Sequence, residues 1–245
     1  MEIAGKAALI TGGARIGETV ALDLARRGCS LALTYRGSRD VAERTAQEAR
    51  ALGVRAEAIR ADATREEDVA AAVSRAAGAL GRLDILVSMA STYVKTPLDK
   101  LTEKQWRDGL DSNVHSAFLF ATHAAPHMKR QGAGRIINVS DWLAASGRPR
   151  YAGYAPYYVA KAAVAALTEA LALELAPAIL VNAVAPGPIL PPPGMSPDEE
   201  ARVIEATPLR RWGGASEISR AVLFLVETEF VTGECIRVDG GRHLY

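Results

Sequence analysis

Short runs of β-prone residues recur along the chain, and longer stretches with helical spacing separate them. The runs cover 7–10, 31–35, 56–59, 85–87, 136–139, 180–184 and 235–238. Several are apolar throughout rather than alternating, which is the pattern of strands covered on both faces. Each intervening stretch is long enough for a crossover helix. The pattern therefore predicts a doubly wound, three-layer α/β fold of the Rossmann type with a parallel seven-stranded sheet. Helix ends agree with it: Thr64 precedes the acidic turn of Glu66, Glu67 and Asp68, and Gly28 and Gly53 follow Arg27 and Leu52. One segment breaks the alternation, Pro186-Gly187-Pro188-Ile189-Leu190-Pro191-Pro192-Pro193-Gly194. Its prolines lack N–H donors, which excludes helix and inner strand and predicts a substrate-side loop at about 187–210 that carries a short helix near 198–206.

Composition narrows the class. With 245 residues, 49% hydrophobic and 23% charged, the chain is composed like an ordinary globular protein, and a single domain over 1–245 is expected. A net charge of +1 gives no global basic field for nucleic acid or an anionic membrane. Cys29 and Cys235 form no C-x-x-C pair, so neither a disulfide framework nor a zinc site is expected. His123 and His127 have zinc-helix spacing but no third ligand or glutamate base between them, so no metal is expected. Residues 1–10 read as a first strand rather than a signal peptide, and the apolar region 162–175 is interrupted by Thr168, Glu169 and Glu174. The expectation is a cytoplasmic protein acting on a small molecule.

The first strand runs into Thr11-Gly12-Gly13-Ala14-Arg15-Ile16-Gly17 and then the amphipathic positions Val20, Leu22, Leu24 and Ala25. Glycines at a strand-to-helix turn let the backbone approach a pyrophosphate, and the helix start offers free N–H groups. The second strand ends in Thr34-Tyr35-Arg36-Gly37-Ser38, with no acid until Asp40. An NAD-binding unit places a carboxylate here for the ribose hydroxyls. Arg36 and Arg15 instead suit a 2′-phosphate, which favours NADP(H). Asp62, closing the third strand, is an acceptor for an adenine amino group or a cap for the next helix.

Tyr157 and Lys161 are four apart in a helical stretch and so share a face. A nearby ammonium favours phenolate and is expected to pull the tyrosine pKa down from about 10 toward neutrality. Taken with Thr11-Gly12, Ile16-Gly17, Asp62, Asn113, Tyr157-Tyr158-Val159-Ala160-Lys161, Pro186-Gly187 and Val238-Asp239-Gly240-Gly241, the chain resembles the short-chain dehydrogenase/reductase family over almost its whole length. The resemblance implies that Tyr157 is the acid or base and that Lys161 also holds the nicotinamide ribose. It further implies that Asn113 supports a proton-relay water, and that Ala63, Ala90, Ser91, Pro186 and Gly187 join Gly12, Ile16, Gly17 and Tyr35 around the cofactor. Tyr154 and Tyr158 are assigned to pocket wall or packing. An apolar face on a long helix at about 106–128 implies a homotetramer.

Three departures carry information. Where the family reads Ser-Ser, this chain reads Ser140-Asp141-Trp142, so an acid replaces the hydroxyl that meets the reacting oxygen. That substitution is similar to the pteridine reductases, which also carry an Asn-Ala-Ser run followed by a stacking aromatic. Met89-Ala90-Ser91-Thr92-Tyr93 matches at Ser91 and Tyr93 but not at Met89. The expected reaction is NADPH-dependent hydride transfer to a C=N or C=O bond of a pterin or dihydrofolate-type substrate held by Ser91, Tyr93, Asp141 and Tyr157. A coupled Asp141 and Tyr157 would donate the proton. Second, the glycine-rich turn is one residue shorter than T-G-x-x-x-[GR]-[IL]-G, which bears on cofactor affinity. Third, Asp141 precedes Tyr157 by 16 residues, longer than usual, with Gly147-Arg148-Pro149-Arg150 carrying the extra length beside the pocket. Two other readings stay open: a 3-oxoacyl-carrier-protein or general carbonyl reductase, and a catalytically silent dinucleotide-binding sensor.

Overall fold

The computed structural model describes residues 1–12 and 14–244. Gly13 of the glycine-rich turn lies outside the described residues. In chain order the elements are β1 (Ala7–Thr11), α1 (Ile16–Arg26), β2 (Ser30–Tyr35), α2 (Arg39–Ala51), β3 (Ala56–Arg60), α3 (Glu66–Leu80) and β4 (Ile85–Ser88). There follow α4 (Glu103–Leu110), α5 (Ser116–Arg130), β5 (Gly134–Val139), α6 (Trp142–Ala145) and α7 (Ala155–Leu175). The chain closes with β6 (Ile179–Pro186), α8 (Pro197–Glu205), α9 (Ala215–Glu227) and β7 (Cys235–Val238). All seven predicted strands are present and form one parallel sheet in the order β3-β2-β1-β4-β5-β6-β7.

Helices cover both faces, which is why the strands are apolar on both sides. Along β1 the side chains alternate between the two cores. Ala8 and Ile10 pack with Val20 and Leu24 of α1 and Val222 and Leu225 of α9, whereas Ala7 and Leu9 pack with Val73 of α3 and Phe120 of α5. The described residues include no helix long and apolar enough to cross a membrane.

Two boundaries differ from the sequence reading. Pro186 ends β6, an inner strand, in register with Val238 of β7. A proline removes one N–H only, and at a strand's last position the neighbouring Gly187 N–H continues the ladder to the Val238 carbonyl at 3.0 Å. The long helix expected at 106–128 is interrupted by a π-helical turn at Asp111–His115, which carries Asn113 and separates α4 from α5. Such turns re-aim side chains within a helix and recur at functional sites.

At the opposite end of the strands from the glycine-rich turn, Asp84 ties three strands together. Its buried carboxylate takes two hydrogen bonds from Arg82, both 2.7 Å, and one from the Ala7 N–H at 2.9 Å, while its carbonyl accepts from Arg135 of β5. Removing the carboxylate orphans the buried Ala7 N–H and leaves Arg82, about a third exposed, without its counter-charge. Asp84→Ala is therefore expected to lower stability by about 3 kcal/mol. That is roughly 6–12 °C in Tm for a domain of this size, read by thermal unfolding, and ligand binding at the far end is expected to survive below the new transition.

Candidate active site

β1 and β4 are neighbours in the sheet although β2 and β3 lie between them in sequence, so the strand order reverses there and leaves a crevice at the strands' carboxyl ends. Two contacts set its floor. The Thr11 hydroxyl oxygen accepts the N–H groups of Met89 and Ala90, both at 3.0 Å. Gly12 has φ +67°, and a Cβ there would lie 2.8 Å from Ala90 Cα, so only glycine fits between the two strand ends.

From Gly12 a groove of about 210 Å³ runs past Tyr35 and Arg36 to Asp62 and Ala63, with Ala90 and Ser91 on its other wall. Ile16 and Gly17 begin α1 beside it. Asp62 Oδ1 accepts the backbone N–H and the hydroxyl of Thr64, and its other oxygen stands 3.8 Å from Arg36. Burial works against its charge, but the Thr64 bonds and the Arg36 guanidinium hold its pKa below the usual carboxylate value. The open groove, the glycine cradle and the cation at its far end fit a nicotinamide dinucleotide. Arg15 lies elsewhere than the sequence reading placed it. Its guanidinium donates to the Pro191 carbonyl at 2.9 Å, reaching the proline-rich segment rather than the Arg36 end. The backbone there has φ +60°, which is uncommon outside glycine. Pro186 and Gly187 lie at the carboxyl end of β6 and are not among the residues that line this groove. A Cβ at Gly187 would fall 2.4 Å from Asp239 Cβ, so packing against Asp239 by itself requires this glycine.

The reactive side chains meet at the ends of β4 and β5 and the start of α7. Asp141 caps α6, its Oδ1 accepting the Leu143 N–H at 2.8 Å, while Oδ2 accepts the Tyr157 hydroxyl at 3.1 Å. Capping and site contact are thus combined in one carboxylate. Ser140 is buried, donates to the Lys161 carbonyl at 2.8 Å and has no free hydroxyl for a substrate. Lys161 Nζ donates to the Val139 carbonyl at 2.7 Å and lies 5.7 Å from the Tyr157 ring centre. α4 fixes the start of α7 by close approach, since a Cβ at Gly109 would stand 2.6 Å from Pro156 Cβ.

Asn113 acts as a bracket. Its Oδ1 accepts from Ser91 at 2.6 Å, and its Nδ2 donates to the carbonyls of Gly109 at 2.9 Å and Thr92 at 3.2 Å. This holds the segment that presents Tyr93. The Tyr93 ring is stacked on Tyr154, with centres 4.3 Å apart and planes 10° off parallel, and meets Tyr157 edge-on at 4.7 Å. One face assigned to substrate stacking is therefore already covered by Tyr154.

These rings line a cavity of about 390 Å³ that reaches from Asp141 and Tyr157 to Trp142, Tyr158 and the inserted loop. Arg150 lines it and stands 5.4 Å from the Trp142 ring centre, whereas Arg148 is not among its lining residues. Arg242 was missed by the sequence reading. It stands 5.8 Å from the same indole and donates to the Ala206 carbonyl just beyond α8, linking the C-terminal turn to the substrate-side segment. No local pattern announces it, because the contact spans distant parts of the chain. Among the described residues, no group of three or more His, Cys, Asp or Glu is arranged to hold a metal.

Electrostatics corrects one expectation. The Tyr157 pKa is raised well above its ordinary value, first by burial and then by the neighbouring Asp141 charge, so Lys161 does not bring it toward neutrality. Asp141 is raised as well, because burial outweighs the hydrogen bonds from Leu143 and Tyr157 and the attraction of Lys161. Burial lowers Lys161 to about 8, against the pull of Asp141.

The chain is similar to known proteins over nearly its whole length. Residues 13–243 match the family model described as Enoyl-(Acyl carrier protein) reductase. The 3-oxoacyl-[acyl-carrier-protein] reductase FabG of Staphylococcus epidermidis is 36% identical over 245 residues, covering 98% of this chain and 99% of that protein. Its counterpart in Staphylococcus aureus is 37% identical, covering 98% of each. Among solved structures, a mutant short-chain dehydrogenase/reductase of Serratia marcescens superposes with a TM-score of 0.92 at 32% identity, covering 99% of this chain and all of that one. A 7α-hydroxysteroid dehydrogenase complexed with NADH and 7-oxo glycochenodeoxycholic acid gives 0.91 at 33%, covering 98% and 95%.

The Lys161 shift has a definite sign in stability. Between its folded value of about 8 and the unfolded value near 10.5, the unfolded chain binds more protons than the folded one, so this group makes stability rise with pH across that window. Denaturant midpoints measured from pH 8 to 10 are expected to climb more steeply for the native chain than for Lys161→Met. Equal slopes would mean that the Lys161 pKa is not lowered in the folded chain.

Proposed function

The chain belongs to the short-chain dehydrogenase/reductase family, a family of oxidoreductases, and we propose that it is an NADPH-dependent reductase of a C=N or C=O bond in a small flat molecule. The observation that carries this reading is Tyr157 bonded to Asp141 at the base of a ring-lined cavity, beside a groove fitted to a dinucleotide. The preference for the phosphorylated cofactor rests on Arg36 at the groove's end and on the absence of a carboxylate at the close of β2.

When bound, the reduced nicotinamide supplies a hydride. The chain's own residues exclude water, orient the acceptor and hold protons. Burial and the Asp141 charge raise the Tyr157 pKa, so the phenol carries the proton that a reduced C=N or C=O bond takes up. Lys161 keeps a cation beside Tyr157 below about pH 8. Asn113 holds Ser91 and, through Thr92, the segment bearing Tyr93.

A pterin or dihydrofolate-type ring remains the finer proposal, supported by Asp141 in the serine position and by the exposed Tyr93 ring. A second reading, reduction of a 3-oxoacyl thioester, is favoured by the full-length similarity to the FabG relatives. The homotetramer belongs to the same proposal and draws support from Phe118 of α5 and Val159 of α7, both exposed.

NADPH oxidation across dihydropterin, cyclic imine, simple ketone and 3-oxoacyl thioester substrates tests the reading. Turnover of at least one is expected, and Tyr157→Phe is expected to lower kcat by about 100-fold or more while NADPH still binds. Arg36→Ala is expected to reduce the preference for NADPH over NADH by about tenfold. NADPH binding without any turnover would favour the silent dinucleotide-binding reading.

A further inference from the structure

Two guanidinium groups stand over the buried Trp142 indole, Arg242 at 5.8 Å from the ring centre and Arg150 at 5.4 Å. Only one of them is engaged. Arg242 donates to the Ala206 carbonyl, whereas Arg150, among the described residues, has neither a hydrogen-bond acceptor nor a carboxylate within ion-pair distance. Its N–H fork is therefore open. The loop that carries it is tied down, because the Thr96 N–H donates to the Gly153 carbonyl at 2.7 Å and so joins the loop to the segment bearing Tyr93. A half-buried guanidinium seated against a fixed ring gives up less freedom on pairing with a ligand than one in open solvent.

The charges around the cavity are set apart from one another. Arg150 and Asp141 are the two charged side chains among the residues lining its 390 Å³. They do not neutralise each other: the Asp141 oxygens accept from Leu143 and Tyr157, and the cation acting on its titration is Lys161. The cavity thus has an acid beside Tyr157 and an unpaired cation on its loop, with aromatic walls between. An ionised Asp141 offers acceptors alone and repels an anion from the reacting end, whereas a guanidinium matches a carboxylate with two parallel hydrogen bonds. Arg150 belongs to the extra length between Asp141 and Tyr157, so a cavity without that loop would lack the cation.

We propose that the substrate carries a carboxylate and that Arg150 binds it. The two charges then set the substrate's direction, with its anionic end at the loop and its reducible bond at Tyr157. This rests on the reductase reading above and adds the substrate's charge to it, whether the reduced bond is C=N or C=O. The carboxylate takes no part in the chemistry: the hydride goes to carbon and the Tyr157 proton to the oxygen or nitrogen. A single guanidinium matches a singly charged carboxylate better than a phosphate dianion, half of whose charge would stay uncompensated among the rings.

The test uses the full chain with NADP+ and three flat aldehydes that set a carboxylate at increasing distance from the carbonyl. These are 3-formylbenzoate, 4-formylbenzoate and 4-formylcinnamate, each beside its primary amide. Calorimetry is expected to find at least one carboxylate bound about tenfold or more tightly than its amide, the difference shrinking as salt is raised. Arg150→Gln is expected to bring that difference below about twofold, and Arg150→Lys to restore part of it, since charge without the planar fork remains. Arg148→Gln removes a neighbouring charge that does not line the cavity and is expected to keep the preference. With NADPH, the preferred carboxylate is expected to show about tenfold higher kcat/KM than its amide, again lost in Arg150→Gln. Carboxylates bound no better than amides, a preference that survives Arg150→Gln, or one lost equally in Arg148→Gln overturns the inference even where the aldehydes are reduced. Arg150-dependent binding of 4-formylphenyl phosphate tighter than that of every carboxylate overturns it too, in favour of a phosphate. Arg150-dependent carboxylate binding with no turnover of any imine or carbonyl would instead sink the reductase reading and leave the anion site standing.

Discussion

Tyr157 donates its hydroxyl to Asp141 inside a wall of aromatic rings, where little solvent is available to either group. Burial raises both pKa values, so the phenol is kept neutral and the carboxylate is kept basic for its kind. The balance holds only while both oxygens of Asp141 stay engaged. One caps α6 through Leu143 and the other receives Tyr157, so the helix cap and the reactive contact share a side chain. A loosened α6 would release the phenol, and a displaced phenol would leave half of a buried carboxylate unpaired.

That dependence accounts for much of the surrounding architecture. β5 delivers Asp141 one residue beyond Ser140, whose hydroxyl on the Lys161 carbonyl stitches the strand end to α7. α7 is held at its start by the close approach of Gly109 and Pro156, and deeper in by Lys161 on the Val139 carbonyl. The π-helical turn brings Asn113 within reach of Ser91 and the Thr92 carbonyl, so the strand that supplies Tyr93 and the helix that supplies Tyr157 are braced against each other. Rigid elements thus fix the reacting groups, whereas the cavity's outer wall is made of loop residues such as Arg150 and Tyr151.

The inner sheet was legible because strands buried on both faces must be apolar throughout, and all seven runs became strands, although the edge strands β3 and β7 are only partly buried. Tyr157 and Lys161 were legible as a pair because helical spacing is a local property, whereas Asp141 was joined to them through the family resemblance. The sign of the tyrosine shift was not legible. It depends on how much burial and how many charges meet at one point, and two of those contributions come from a residue 16 positions away. Arg15 misled for a related reason. A guanidinium in a glycine-rich turn can reach several partners, and the fold turned it toward the Pro191 carbonyl. Pro186 was excluded from the inner sheet by a rule about missing donors that loses its force at a strand's last residue.

The departures from the family pattern are not scattered. Asp141, Tyr93 and the inserted loop with Arg150 lie on the cavity side, and Met89 and the shortened turn flank the crevice between β1 and β4. Elsewhere the chain superposes closely on relatives only about a third identical to it. A scaffold under that much shared constraint fixes where hydride chemistry takes place but leaves the polarity of the acceptor free to vary. Exchanging a hydroxyl, which both donates and accepts, for an ionised carboxylate at one point on that scaffold leaves acceptors alone. The hydrogen bond from the phenol to Oδ2 follows from that exchange.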